Sequence, residues 1–149
     1  MVDDKKSLSY DIDFNLAQYV CFFYKEFQKY CEEKLKPYNL TNGLYMYLIF
    51  IHKKPGSTLN EISKALKLDK ALTTRAIKKL IEYGYVEKVV NENDSRSFNI
   101  YATEKCDEAM VQMKNLFVEW QKIILKGFSK EETETFQALF KKASSNIKF

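Results

Sequence analysis

Glycine and proline are scarce in this chain of 149 residues, with four and two copies. So few breakers exclude a many-turned β architecture and favour long, continuous elements. Histidine occurs once, at His52. The three cysteines, Cys21, Cys31 and Cys106, are odd in number and far apart. That fits reduced thiols better than a disulfide framework, and without a C-x-x-C or a histidine cluster no metal site is expected. No run of about 18 apolar residues exists, so no membrane span is expected. The opening MVDDKKSLSYD lacks the apolar core of a signal peptide, which predicts a cytoplasmic protein. There is no glycine-rich phosphate loop and no metal-ligand spacing. Nothing positive therefore points to an enzyme, and no cofactor is expected.

What is present is apolar and aromatic. Hydrophobic residues make up 46%, aromatics 15% and charged residues 30%. Residues 1–149 read most simply as one domain with a substantial core. The net charge of +4 is not evenly spread. Of 24 basic and 20 acidic residues, the stretch 53–105 holds 11 and 7, leaving 13 of each elsewhere. A phosphate-binding surface needs such a local surplus, although four charges over fifty residues also suit a solvated face.

The expected elements follow in order. Asp11 or Asp13 can cap a helix that runs to about Lys36 and ends at Pro37. Its Leu16, Val20, Phe23, Phe27 and Tyr30 form a helical seam, while Tyr19, Phe22 and Tyr24 carry the apolar surface beyond one stripe. A helix apolar on more than one face needs more than one cover, and in a small protein a second subunit is the expected one. Thr41 can cap a second helix to about His52. Thr58 and Glu61 form a capping box for a third, to about Lys67. Asp69 can cap a fourth. At 100° per residue, Leu72, Thr73, Ala76, Ile77 and Leu80 share its inner side, and Ala71, Thr74, Arg75 and Lys78 share the outer, flanked by Lys70 and Lys79. Gly84 suits a left-handed helix end. Strands are predicted at Tyr85–Val90 and Phe98–Thr103. Between them NENDSRS reads as a long polar tip on a projecting hairpin. Thr103 can cap a helix to about Lys126, with Cys106, Met110, Met113, Phe117, Trp120 and Ile124 at heptad-like spacing. Ser129 and Glu132 form a second capping box, ahead of a helix to about Ala143 that groups Phe136, Leu139, Phe140 and Ala143.

The order helix, turn, helix, two-stranded wing over residues 57–103 is that of a winged helix-turn-helix. The stretch LNEISKALKLDKALTTRAIKKLIEYGYVEK resembles the MarR family of winged-helix transcriptional regulators. Thr74-Arg75 matches the family's Thr-Arg pair early in the recognition helix. Leu80, Gly84, Tyr85 and Val86 match its Leu-x-x-x-Gly-hydrophobic-hydrophobic end. Asp94-Ser95-Arg96 and Ala102-Thr103 match its wing, with Ala102 in place of the usual Leu and Cys106 where a Gly often follows. Neither departure falls on the expected DNA face. The resemblance extends over nearly the whole chain. It implies a mainly α fold with a small two-stranded wing. The winged helix (41–103) would lie between long dimerisation helices (1–40 and 104–149). It also implies a homodimer on pseudo-palindromic double-stranded DNA, and commonly a repressor released by a small phenolic or anionic effector or by thiol oxidation.

The chemistry of the outer face stands without the family. Arg75 can donate two bonds to guanine in the major groove. Thr74 can bond a phosphate or a base edge, and Ala71 allows close approach and can touch a thymine methyl. Lys70, Lys78 and Lys79 suit phosphates. Arg96, beside Ser95 on the tip, is the candidate for a narrow minor groove, with Asp94 capping the turn or orienting an arginine. Phe22, Phe23, Tyr24, Tyr45 and Tyr47 are candidates for an effector pocket, with plain core packing as the bland alternative. LAQYVCFFY resembles the peroxide-sensing branch of the family, which makes Cys21 a redox candidate. The positions of that branch's supporting tyrosines carry Lys25, Cys31 and Asn42. A different alternative is a winged helix that uses its outer face to bind protein, which calls for a more apolar face than this one.

Overall fold

The computed structural model describes residues 16–147 and divides the chain into two compact units, Met1–Met110 and Val111–Phe149. In the first unit, α1 spans Leu16–Leu35 and is followed by a short 3-10 turn at Lys36–Tyr38. Proline at the second position of that turn removes a donor that a helix interior would need. The expected caps at Asp11 and Asp13 lie outside the described residues.

Helix α2, Leu44–Lys53, begins later than the Thr41 cap predicts. Asn42 and Gly43 are both left-handed, at φ 55 and 74, and Gly43 is the capping residue, with no side-chain bond. The two positive φ values turn the chain before a threonine cap can form. Gly43 meets nothing where a Cβ would stand, so its conformation alone favours glycine.

Strand β1 is only Ser57–Thr58, and α3 follows at Leu59–Leu66. The capping box forms as expected: the Glu61 amide donates to the Thr58 hydroxyl at 3.3 Å, and the Thr58 amide donates to the Glu61 carboxylate at 2.7 Å. These bonds to Thr58 hold the Glu61 carboxyl below its ordinary range. Lys67 closes α3 in a left-handed conformation, and Asp69 opens α4, Lys70–Glu82, by accepting from the Leu72 amide at 3.0 Å. Thr73, Ala76, Ile77 and Leu80 face inward as predicted. Leu72 does not: it is 46% exposed and borders an open cleft, whereas its neighbour Thr73 is fully buried.

The wing is a three-stranded antiparallel sheet in the order β1-β3-β2, with β2 at Val86–Asn91 and β3 at Asp94–Ala102. The sequence predicts two strands. Two residues at β1 are too few to carry a strand pattern. The expected long tip is also corrected: Glu92 and Asn93 alone connect the strands. The register runs Val90 to Phe98 and then Asn91 to Asp94, so Ser95, Arg96 and Ser97 bulge out of β3 without partners on β2.

The core of this unit is Leu40, Leu48, Ile51, Ile62, Leu80, Val86 and Ile100, all buried. Three bonds brace the base of the sheet. The Tyr85 hydroxyl donates to the Tyr38 carbonyl at 2.7 Å, and the Thr103 hydroxyl donates to the Gly84 and Tyr85 carbonyls at 2.7 and 3.1 Å. Helix α5, Glu104–Ile124, starts here, and His52 Nδ1 lies 3.3 Å from its Asp107 carboxylate.

The second unit holds the remainder of α5 and α6, Lys130–Ser145, which opens on the expected Ser129–Glu132 capping box. Phe136 stacks on Phe140 with centroids 5.9 Å apart and meets Phe128 edge-on at 5.7 Å. Yet Phe136, Leu139 and Phe140 all stay exposed, as do Leu16, Val20, Phe22 and Phe23 on α1 of the first unit.

Candidate nucleic-acid interface

Every residue assigned to the outer face of α4 is exposed: Lys70, Ala71, Thr74, Arg75, Lys78 and Lys79. The helical repeat puts them on one side because the other is taken by Thr73, Ala76, Ile77 and Leu80. Their local bonds refine the chemistry. The Thr74 hydroxyl donates to the Lys70 carbonyl at 2.9 Å, so in this rotamer its oxygen acts as an acceptor. That suits the amino group of a base rather than a phosphate, which only accepts. Arg75 Nε donates to the Ala71 carbonyl at 3.4 Å, a long bond that draws the side chain back along α4. Its terminal nitrogens are the ones a bidentate guanine contact uses.

Arg96 and Ser95 stand exposed in the bulge of β3. The Asp94 carboxylate accepts from the Arg96 amide at 3.0 Å, closing an Asx turn that shapes the bulge. A polar chain missed by sequence reading stiffens the wing. Asn93 N–H donates to the Asn91 side chain at 2.9 Å, Asn91 to Asn99 at 2.8 Å, and Asn99 to the Gly56 carbonyl at 2.9 Å. The signal was there, in asparagines placed where strands disfavour them. Lys88 Nζ lies 4.7 Å from the Phe98 ring, and Lys105 donates to the Tyr83 carbonyl at 2.6 Å, so two of the basic residues serve the fold.

The five aromatic pocket candidates separate. Tyr24 and Tyr47 line an open cleft of about 540 Å³ among α1, α2 and α4. Tyr45 turns into the core, where its hydroxyl bonds the Cys31 thiol; burial first of all pushes Cys31 up to about 11 and raises Tyr45 as well. Phe22 and Phe23 are exposed, edge-to-face at 6.3 Å, and lie outside the lining of the cleft. Cys21 is exposed on α1, whereas the thiol with a tyrosine partner is the buried Cys31. A raised pKa is the opposite of what a sensing thiolate requires.

The MarR family model matches residues 38–97, which hold the helices, the turn and most of the wing. A MarR protein from Peptoclostridium difficile is 31% identical, with 98% of this chain and 92% of that one covered and a TM-score of 0.78. The chain belongs to the MarR family. The HTH-type transcriptional regulator BilQ of Clostridioides difficile (strain CD3) is 46% identical over 129 residues, 87% of this chain and 85% of that protein. A crystal structure of MarR at 20% identity superposes with a TM-score of 0.83, covering 92% and 93% of the two chains, which shows the same fold. The protein is accordingly a transcriptional regulator of MarR type and not an enzyme, with DNA binding implied by its family. None of the helices among the described residues is long and apolar enough to cross a membrane.

Proposed function

We propose that the protein is a homodimeric, cytoplasmic repressor that reads a pseudo-palindromic operator and leaves it when a small effector binds. The observation that carries this reading is the outer face of α4. Arg75, Lys78, Lys79 and Lys70 stand together and exposed, with Ala71 and Thr74 small enough to let the helix enter a major groove. Arg96, held out of the strand pairing by the bulge, suits the neighbouring minor groove. The face is cationic rather than apolar, which favours DNA over a protein partner. Two copies are called for by the exposed apolar side chains of α1 and α6, since soluble monomers rarely leave such rows uncovered. Selection of bound fragments from the source genome, followed by footprinting, tests the reading. Two protected half-sites about one helical turn apart support it. Binding that no sequence improves defeats it.

A further inference from the structure

Strand β3 loses a neighbour just beyond Asn99. At Asn99 it pairs with Thr58 of β1 on one side and with Val89 of β2 on the other. Toward the tip β1 has ended, and the pair Val90–Phe98 is the last regular one before the bulge that carries Arg96. The outer wing is therefore a two-stranded ribbon, which by itself is marginally stable and free to twist. The asparagine chain runs across this weak point. The Asn93 N–H donates to Asn91, Asn91 donates to Asn99, and Asn99 donates to the Gly56 carbonyl. Its polarity is fixed at both ends, because a backbone N–H can only donate and a carbonyl can only accept. The far end is firm. Gly56 has φ 81, and its N–H donates to the Ile100 carbonyl at 2.8 Å. A Cβ there would stand 3.0 Å from the Tyr101 hydroxyl, so both the conformation and the space call for glycine. The Ser57 hydroxyl donates to the Lys54 carbonyl at 2.8 Å within the same loop. From Gly56 the chain passes through β1 into the capped helix α3, which packs against α4. The wing tip is thus tied to the frame that carries Arg75.

We propose that Asn99 is a positioning residue for minor-groove recognition: with Asn91 it holds Arg96 at one depth and direction, so that the wing selects a narrow, A·T-rich groove instead of merely adding affinity. The inference rests on the reading of the wing as a minor-groove element. An arginine on a twisting ribbon reaches phosphates wherever they lie, and phosphate contacts carry no sequence information. The enhanced negative potential that distinguishes A·T tracts is confined to the narrow groove. A cation discriminates by it only when it is presented at a set depth. Asn99 acts through Arg96 and needs no DNA contact of its own.

The test uses the full-length protein and a duplex selected from the genome. Hydroxyl-radical footprints of the parent and of Arg96→Ala locate the base pairs under the wing. These are then made all A·T, all G·C, or inosine·cytosine, which lacks the guanine amino group and so presents the minor-groove edge of A·T. The parent should bind the A·T and inosine·cytosine duplexes about tenfold more tightly than the G·C one, the scale of one arginine contact. Asn99→Ala removes the whole tie. Asn99→Asp loses only the donor to Gly56, and Asn91→Asp only the donor to Asn99. Each variant should bring the ratio close to unity while the preference at the base pair read by Arg75 stays parental. Repulsion from a new carboxylate weakens all duplexes alike and cancels in the ratio, and a folding failure of one variant leaves the others to decide. A parental ratio in the folded variants overturns the proposal while the wing reading stands. Loss of the Arg75 preference along with the flank preference would make the asparagines general supports of the fold, and overturns it too. A parent without flank preference, or a preference that survives Arg96→Ala, defeats the wing reading and the proposal with it.

Discussion

The carboxylate of Asp94 accepts the backbone N–H of Arg96 at 3.0 Å, so the residue that shapes the wing and the residue proposed to read DNA from it are one turn apart. The two should respond differently to mutation. Arg96→Ala removes the reaching side chain but leaves the bulge, and should weaken operator binding by about tenfold with an unchanged melting temperature. Asp94→Ala loosens the turn, and should weaken binding less while Arg96 remains. Fluorescence anisotropy with the selected duplex, alongside circular dichroism, checks both. Equal affinity of Arg96→Ala and the parent would remove the wing from the interface.

Arg75 and Lys78 should be distinguishable by specificity. Arg75→Ala should cost about 1–3 kcal/mol on the operator and relax the preference at one base position. Lys78→Ala should weaken all duplexes alike and lower the salt slope by about one. Binding titrations at several salt concentrations, with single-base operator variants, separate the two outcomes. A parent protein whose affinity ignores salt would contradict phosphate binding altogether.

Assembly should depend on the apolar residues left exposed on α6. Leu139→Glu puts a charge on a side chain that is 60% exposed in the single chain. The variant should keep its helical signal, run as a monomer in light scattering, and lose most operator affinity, because two half-sites are then no longer engaged together. A dimer of parental stability would place the subunit contact elsewhere.

The buried thiols give a pH prediction. Burial, as the largest cause, pushes Cys31 and Cys106 from 9.0 to about 11. In the unfolded chain these thiols ionise near the lower value, so unfolding releases protons between the two. Stability is fully present below about pH 9 and declines as pH rises toward 11, by on the order of 1 kcal/mol per pH unit per thiol. Urea denaturation from pH 8 to 10.5 should show that decline, and Cys106→Ala should flatten it. An undiminished loss in the variant would mean that another group, Tyr45 included, governs the alkaline limb.

Much of the fold is legible in local chemistry. The pairs Thr58–Glu61 and Ser129–Glu132 mark helix starts because both partners lie within one turn, and both form as read. Thr41 misleads because two left-handed residues, Asn42 and Gly43, intervene before α2. Leu72 misleads because helical phase says which side a residue faces, not whether anything packs there. The outer residues of α4 follow from periodicity alone. The wing bulge does not, since its register depends on pairing between strands, and residues 91–97 read as a loop. The cleft is beyond sequence reading for the same reason: Tyr24, Met46 and Arg75 meet only once three helices pack.

Ser95–Ser97 project from β3 where the partner strand has no counterpart. Replacements there leave the side-chain alternation of both strands undisturbed. Evolution can therefore exchange what the wing carries, a long cation for a short polar residue, while the sheet beneath stays the same. Divergence in operator preference among related regulators should accumulate first at these positions, as the least constrained way to a new target.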